Sequence, residues 1–153
     1  MTGKSDFNAE EWDRLVQAPA LAALRVIHAD RGGTLRESLS LARAYTEARR
    51  SGGGQLLDAI VASPPSLDPS TVRSPEQLAD RADQGLRDAI ELLERKATPE
   101  EVGDYRRFVM AVADTVAQAH KEGGFLGIGG KEVSDSEQAV LDELAQTVGA
   151  SAR

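Results

Sequence analysis

The stretch SPEQLADRADQGLRDAIELLERKATPEE, residues 74–101, contains one complete helix and the start of the next. Ser74 and Gln77 have the spacing of a capping box, in which the N-cap side chain and the third helical residue bond each other's backbone amides. Thr98 and Glu101 repeat that spacing, and each cap is followed by a proline at the first helical position, where a missing N–H costs nothing. Apolar residues recur between the caps at helical spacing: Leu78, Ala82, Leu86, Ile90 and Leu93. The stretch predicts two successive amphipathic helices.

Similar start signals occur in the rest of the chain. The pairs with capping-box spacing are Asn8 with Glu11, Thr34 with Glu37, and Ser134 with Glu137. Phe7 and Trp12 lie where a hydrophobic staple would close over the first cap. Apolar residues at helical spacing fill the segments that follow, and no segment shows the alternation of a strand. With Pro19 expected to interrupt the first segment, the sequence predicts an all-α fold, a single compact bundle of about seven helices.

The chain is expected to form one helical domain with two halves. The domain spans residues 1–153 and divides into a first half 1–63, a proline-rich crossover 64–74 and a second half 75–153. In the first half an alanine-rich helix ends in HADRGG, and in the second half another ends in AHKEGG. A capped helix follows in each case. Helix-stop and helix-start signals alone also generate part of this match, so duplication and coincidence both stay open.

The two glycine turns carry a resemblance to a known family. The residues concerned are AlaAspArgGlyGly at 29–33 with Glu37, and more loosely LysGluGlyGly at 121–124 with SerAspSerGlu at 134–137. This pattern resembles the TerB-like family of small helical bacterial proteins, although the second copy has a longer loop before its helix. The resemblance implies a helical fold and a non-enzymatic role associated with tellurite resistance and stress response.

Composition and charge narrow the range of partners. The net charge is −7, and residues 64–153 carry the excess, with ten Lys/Arg against seventeen Asp/Glu. Binding to phosphates needs clustered cations, so we expect neither nucleic acid nor an anionic membrane surface as a partner. The chain has no cysteine, which excludes thiolate sites and fits a reducing compartment. Without an apolar leader or a segment of membrane-spanning length, the sequence predicts a cytoplasmic protein.

Acidic residues beside the glycine turns are candidate metal ligands. They are Asp30, Glu37, Glu122 and Glu137. If the halves pack about a pseudo-twofold axis, the turns converge and offer oxygen ligands to Ca²⁺ or Mg²⁺. A capping role already accounts for Glu37 and Glu137, so we expect no resident cofactor and keep Ca²⁺ or Mg²⁺ binding as the alternative.

No catalytic residues are predicted. The sequence has no nucleophile-elbow motif and no Glu-x-x-His spacing of a di-iron bundle. His28 and His120 each lie near a helix C-terminus, where the helix dipole favours a cation. We therefore expect a non-enzymatic helical scaffold or adaptor that acts through protein contacts. A divalent-cation-binding protein and a small enzyme with an unrecognised site are the alternatives.

The loop GGFLGIGGKE, residues 123–132, is the candidate docking segment. It lacks the glycine spacing and the Ser or Thr of a P-loop. Its apolar residues Phe125, Leu126 and Ile128 either pack back onto the bundle, which we expect, or project to meet a partner.

A double substitution distinguishes these two placements of the loop. If Phe125 and Leu126 pack onto the bundle, replacing both with Ser should lower the free energy of unfolding by about 2–5 kcal/mol, the usual scale for losing buried apolar groups. Denaturant melts of wild type and variant measure this. Equal midpoints, with a difference within about 0.5 kcal/mol, would show that the loop projects instead.

Overall fold

The structure is a computed structural model that describes residues 3–27, 35–51, 54–63, 74–122 and 135–149. Within these ranges the chain forms one short 3₁₀ helix and six α-helices. The 3₁₀ helix is Lys4–Asp6, and the α-helices are α1 (Ala9–Ile27), α2 (Leu35–Ser51), α3 (Gln55–Ala62), α4 (Pro75–Lys96), α5 (Pro99–Glu122) and α6 (Asp135–Val148). The described ranges contain no strand, so the all-α prediction is confirmed. The described ranges hold six α-helices, one fewer than predicted.

Capping hydrogen bonds confirm the predicted starts of three helices. At α1, the Glu11 N–H donates to Asn8 Oδ1 at 2.8 Å, and the Asn8 N–H donates to Glu11 Oε1 at 2.9 Å. At α5, Thr98 and Glu101 exchange the same two bonds at 3.0 and 3.1 Å. At α4, the Gln77 N–H donates to Ser74 Oγ at 3.1 Å. These bonds satisfy backbone donors that a helix leaves unpaired in its first turn.

The predicted helix break at Pro19 is wrong, because α1 continues through it to Ile27. Proline has no N–H, so Pro19 cannot donate to the carbonyl of Leu15 one turn earlier. The hydroxyl of Tyr105 on α5 donates to that Leu15 oxygen instead, at 2.8 Å, in a fully buried position. The hydrogen bond that the proline removes is thus replaced by a side chain from another helix. This replacement explains why one helix stands where two were predicted.

Helix α1 lies at the centre of the bundle and contacts each of the five other α-helices in the described ranges. One apolar cluster joins buried residues from all six α-helices. From α1 this cluster includes Leu15, Ala22 and Val26, which have no exposed surface. Burial at this scale contributes about 25 cal/mol per Å² of apolar surface removed from water. The predicted compact bundle therefore has its core around α1.

Helices α1 and α4 approach closely at a glycine. A Cβ atom placed at Gly85 of α4 would lie 3.3 Å from Leu21 Cδ1 of α1, tighter than ordinary packing. Close to this contact, Arg25 of α1 forms ion pairs with Asp83 of α4, at 2.9 Å, and with Glu143 of α6. Because Arg25 is 11% exposed and Asp83 30% exposed, their pair is screened less than an ordinary surface pair, whereas Glu143 is 58% exposed. Arg25 thus links three helices through its charge.

Some expectations concern residues outside this description. Most of the crossover 64–74 lies outside it, as do both glycine turns, so the relation between the two halves stays a prediction. None of the helices in the described ranges combines the length and the apolar character that a bilayer crossing requires.

A double-mutant cycle tests the replacement of the missing proline hydrogen bond. Tyr105→Phe leaves the buried Leu15 carbonyl without a donor and should lower the free energy of unfolding by about 1–3 kcal/mol. In a Pro19→Ala background the alanine N–H can donate to Leu15, so the same change should cost clearly less. Urea denaturation of the four proteins gives the coupling energy. An equal cost in both backgrounds would show that Tyr105 does not compensate for Pro19.

Candidate functional site

The predicted site residues lie largely outside the described part of the chain. The docking residues Phe125, Leu126 and Ile128 are outside the described ranges, and so is the proposed metal ligand Asp30. The other proposed metal ligands, Glu37, Glu122 and Glu137, belong to the backbones of α2, α5 and α6, but their side chains are outside the description. The metal site and the docking loop therefore stay predictions.

A groove at the amino-terminal end of α1 is the candidate site that the structure describes. We call it the amino-terminal groove. It has a volume of about 620 Å³ and is lined by Lys4, Ser5, Phe7, Asn8, Ala9 and Trp12. The staple predicted from sequence forms its base, with the rings of Phe7 and Trp12 6.0 Å apart and inclined at 45°. Both rings are buried, with 8% of Phe7 and 7% of Trp12 exposed, and the exposed part of the lining comes from Lys4, Ser5, Asn8 and Ala9.

A lysine ammonium lies over each of the two aromatic rings of the groove. Lys4 Nζ lies 5.7 Å from the centre of the Trp12 ring, and Lys96 Nζ lies 5.5 Å from the centre of the Phe7 ring. Both distances are within the range in which the electron-rich face of a ring attracts a cation. Trp12 is further anchored by its Nε1–H, which donates to Ser63 Oγ at 3.4 Å. The rings and the cations therefore hold one another in place.

Lys96 also connects the carboxyl end of α4 to the first cap. Its ammonium donates to the Asp6 carbonyl oxygen at 3.1 Å and to Glu11 Oε1 at 2.9 Å. The Asn8 backbone N–H, and after it Lys96, lowers the pKa of the Glu11 carboxyl below its ordinary value of 4.5. Glu11 is consequently held as a carboxylate that serves both the cap and the lysine.

Two buried tyrosines form the other polar feature of the interior. Burial raises the pKa of Tyr45 to about 12, and burial with a smaller effect of Tyr45 raises the pKa of Tyr105 well above its ordinary value. The Tyr45 hydroxyl is buried and has no hydrogen-bond partner among the described residues, while its ring meets Phe108 edge-on at 5.3 Å. Phenols with raised pKa values stay protonated near neutral pH, which makes them unsuited to act as general bases there.

The described residues show no cluster of three or more His, Asp or Glu side chains placed to hold a metal ion. Carboxylates in these ranges instead take part in caps and ion pairs. An example is Glu94 of α4, which lies 2.8 Å from Arg106 of α5. The amino-terminal groove remains the candidate site in the described part of the chain.

The sequence predicts only the aromatic part of the groove. The staple pair Phe7 and Trp12 was recognisable from its spacing around Asn8. Lys4 is close to them in sequence and was accessible to the same local argument. Lys96 had no local signal, because it lies 85 residues from Glu11 along the chain.

Comparisons of this chain with protein-family models, with curated proteins and with solved structures find no match. The TerB-like resemblance stays a prediction that rests on the two glycine turns.

The lowered pKa of Glu11 should make the stability of the fold sensitive to acid. Because its pKa is lowered in the folded protein, its stabilising effect is complete above about pH 4.5 and is lost as the pH falls through the lower folded value. Glu11→Gln should therefore reduce the fall in melting temperature between pH 5 and pH 3. Glu10→Gln is the matched control, since Glu10 is exposed and its partner is Arg14 at 3.6 Å. Parallel pH curves for wild type and Glu11→Gln would contradict the assignment.

Proposed function

We propose that this protein is a non-enzymatic helical scaffold or adaptor that binds a protein partner through the amino-terminal groove. The observation that carries the proposal is the groove itself, in which Phe7 and Trp12 are held beside two lysines on a capped helix end. The rings themselves are buried, with 8% of Phe7 and 7% of Trp12 exposed, so a partner would meet the exposed residues around them, Lys4, Ser5 and Asn8. The TerB-like resemblance adds the suggestion that the partner belongs to a stress-related system.

Preorganisation of the groove supports a binding role. Four sets of contacts fix it: the reciprocal cap bonds of Asn8 and Glu11, the Lys96 contacts, the Trp12 bond to Ser63 and the tilted ring contact of the staple. The Gly3 N–H also donates to Asp6 Oδ2 at 2.8 Å, which closes the short 3₁₀ turn. Fixing a site before binding reduces the ordering entropy that association must overcome. A partner would thus meet a surface that needs little rearrangement.

The position of the groove on the bundle also suits an adaptor. The groove lies at the first turns of α1, whereas the Arg25 ion pairs lie near its other end, about 20 Å away at 1.5 Å per residue. The central core lies between these ends. A partner at the groove therefore leaves the opposite end of the bundle available for a second contact.

Site-specific photocrosslinking in cells that naturally carry the protein tests the proposal. A photoreactive phenylalanine analogue in place of Ser5, an exposed residue of the groove lining, should give one or a few discrete crosslinked species. The same analogue in place of Asp142, exposed on α6, is the matched control and should not give those species. Identical crosslinking at both positions, or none at Ser5, would contradict binding at the groove.

A further inference from the structure

We propose that helix α6 is an internal ligand, bound in a trough that also accepts a helix of the same pattern from a partner protein. The trough is the face of α1, α4 and α5 that α6 covers, and we call it the α6 trough. It is separate from the amino-terminal groove, because Arg25, which contacts α6, lies near the opposite end of α1. A partner helix replaces α6 there, so the intramolecular contact is autoinhibitory.

The other five α-helices of the described chain contact one another independently of α6. Helix α1 contacts α4 and α5, α4 contacts α5, and α2 and α3 both pack against α5. Among the described side chains, α6 adds three that are buried in the core: Leu141, Leu144 and Val148. Their spacings of three and four residues are those of an amphipathic helix bound in a groove. Helix α6 is therefore attached by one apolar face to a set of helices that are already joined.

Arg25 of α1 keeps a carboxylate partner whether or not α6 is present. Its Nη1 lies 2.9 Å from Asp83 Oδ1 of α4, and its Nη2 pairs with Glu143 of α6. Removing the sole partner of a buried charge is strongly destabilising, but here Asp83 remains in place when α6 leaves. Release of α6 therefore leaves no unpaired cation at this position.

Arg106 of α5 meets the carboxyl end of α6 in a similar way. A Cβ atom placed at Gly149, which follows α6, would lie 3.7 Å from Cζ of Arg106, so the guanidinium lies against the backbone at that helix end. The carboxyl end of a helix carries partial negative charge, which a cation stabilises. Arg106 also pairs with Glu94 of α4 at 2.8 Å, and this pair does not involve α6. Arg25 and Arg106 thus each have a carboxylate on α4, and their charges stay balanced when α6 leaves.

These contacts define the helix that the α6 trough accepts. It carries bulky apolar residues at positions i, i+3 and i+7, the spacing of the buried α6 residues, and a carboxylate at i+2, the position of Glu143. The apolar residues supply the attachment. Arg25 and Arg106 fix register and direction, since one meets the carboxylate and the other meets the carboxyl end of the helix. The partner is therefore a protein that presents an amphipathic helix with this pattern.

Peptide binding to the full chain tests the exchange. The probe is a fluorescein-labelled peptide of residues 135–149 with a blocked carboxyl end, followed by fluorescence anisotropy. Leu144→Asp places a carboxylate at a position with no exposed surface and should displace the chain's own α6. The probe should bind this variant saturably and at least about tenfold more tightly than it binds wild type, because the intramolecular α6 competes at an effective concentration of about 1 mM.

Matched variants locate the binding. Ala139→Asp adds the same charge at an exposed position of α6, so this chain should bind the probe as weakly as wild type does. A probe that itself carries Leu144→Asp should not bind the Leu144→Asp chain. A probe with Glu143→Gln should bind that chain about threefold more weakly than the unmodified probe, the scale of one exposed ion pair.

Four results would overturn the proposal. The first two are equal binding of the probe to the wild-type and Leu144→Asp chains, and no saturable binding to a Leu144→Asp chain that keeps its helical dichroism. The third is loss of that dichroism without recovery when unlabelled probe is added, which would show that the other helices need α6 in order to fold. Light scattering should give one chain per probe. The fourth result is a dimer of chains joined through α6 in place of the probe, which would make a second copy the occupant.

Discussion

The hydrogen bond from the Tyr105 hydroxyl to the Leu15 carbonyl is the contact on which the arrangement of this bundle depends. It replaces the bond that Pro19 cannot make, within a core where an unpaired carbonyl costs about 1–3 kcal/mol. Since α1 contacts each of the other five α-helices of the described chain, a break at Pro19 would separate two groups of packing contacts. The tyrosine thereby does more than fill space. It lets one helix act as the axis around which the core forms.

The groove is a consequence of that axis. Continuity of α1 from Ala9 to Ile27 fixes its first turn relative to α4, whose last residue, Lys96, reaches Asp6 and Glu11. The 3₁₀ turn then returns Phe7 over Trp12, and Lys4 completes the lining. Packing in the interior thus determines the geometry of a surface feature. Hydrogen bonds to Ser63 and from Lys96 join the groove to the rest of the bundle.

Capping-box spacing in the sequence predicted the helix starts, because short-range contacts determine them. The caps at Asn8, Ser74 and Thr98 depend on contacts three residues apart, and each was recognisable from its spacing. The staple of Phe7 and Trp12 is local too, so this part of the groove was predictable. The hydrogen bond of Tyr105 to Leu15, which keeps α1 continuous, joins residues 90 positions apart, and the bond of Lys96 to Glu11 joins residues 85 positions apart. Sequence spacing does not predict contacts over such separations. The candidate metal ligands and the docking loop lie outside the described side chains, so these parts of the sequence analysis stay predictions.

Charge at the start of α1 is partly balanced within the protein. The chain carries a net charge of −7, so its field opposes the approach of an anion, although salt confines this effect to about 8 Å at physiological ionic strength. Near the groove, Glu11 pairs with Lys96 and Glu10 with Arg14, whereas Asp6 accepts the neutral Gly3 N–H and keeps its negative charge. Lys4 therefore lies two residues from a carboxylate that no cation offsets among these contacts. The charge of the groove alone thus does not select an anionic partner, and selection falls to the shape and hydrogen bonding of the lining.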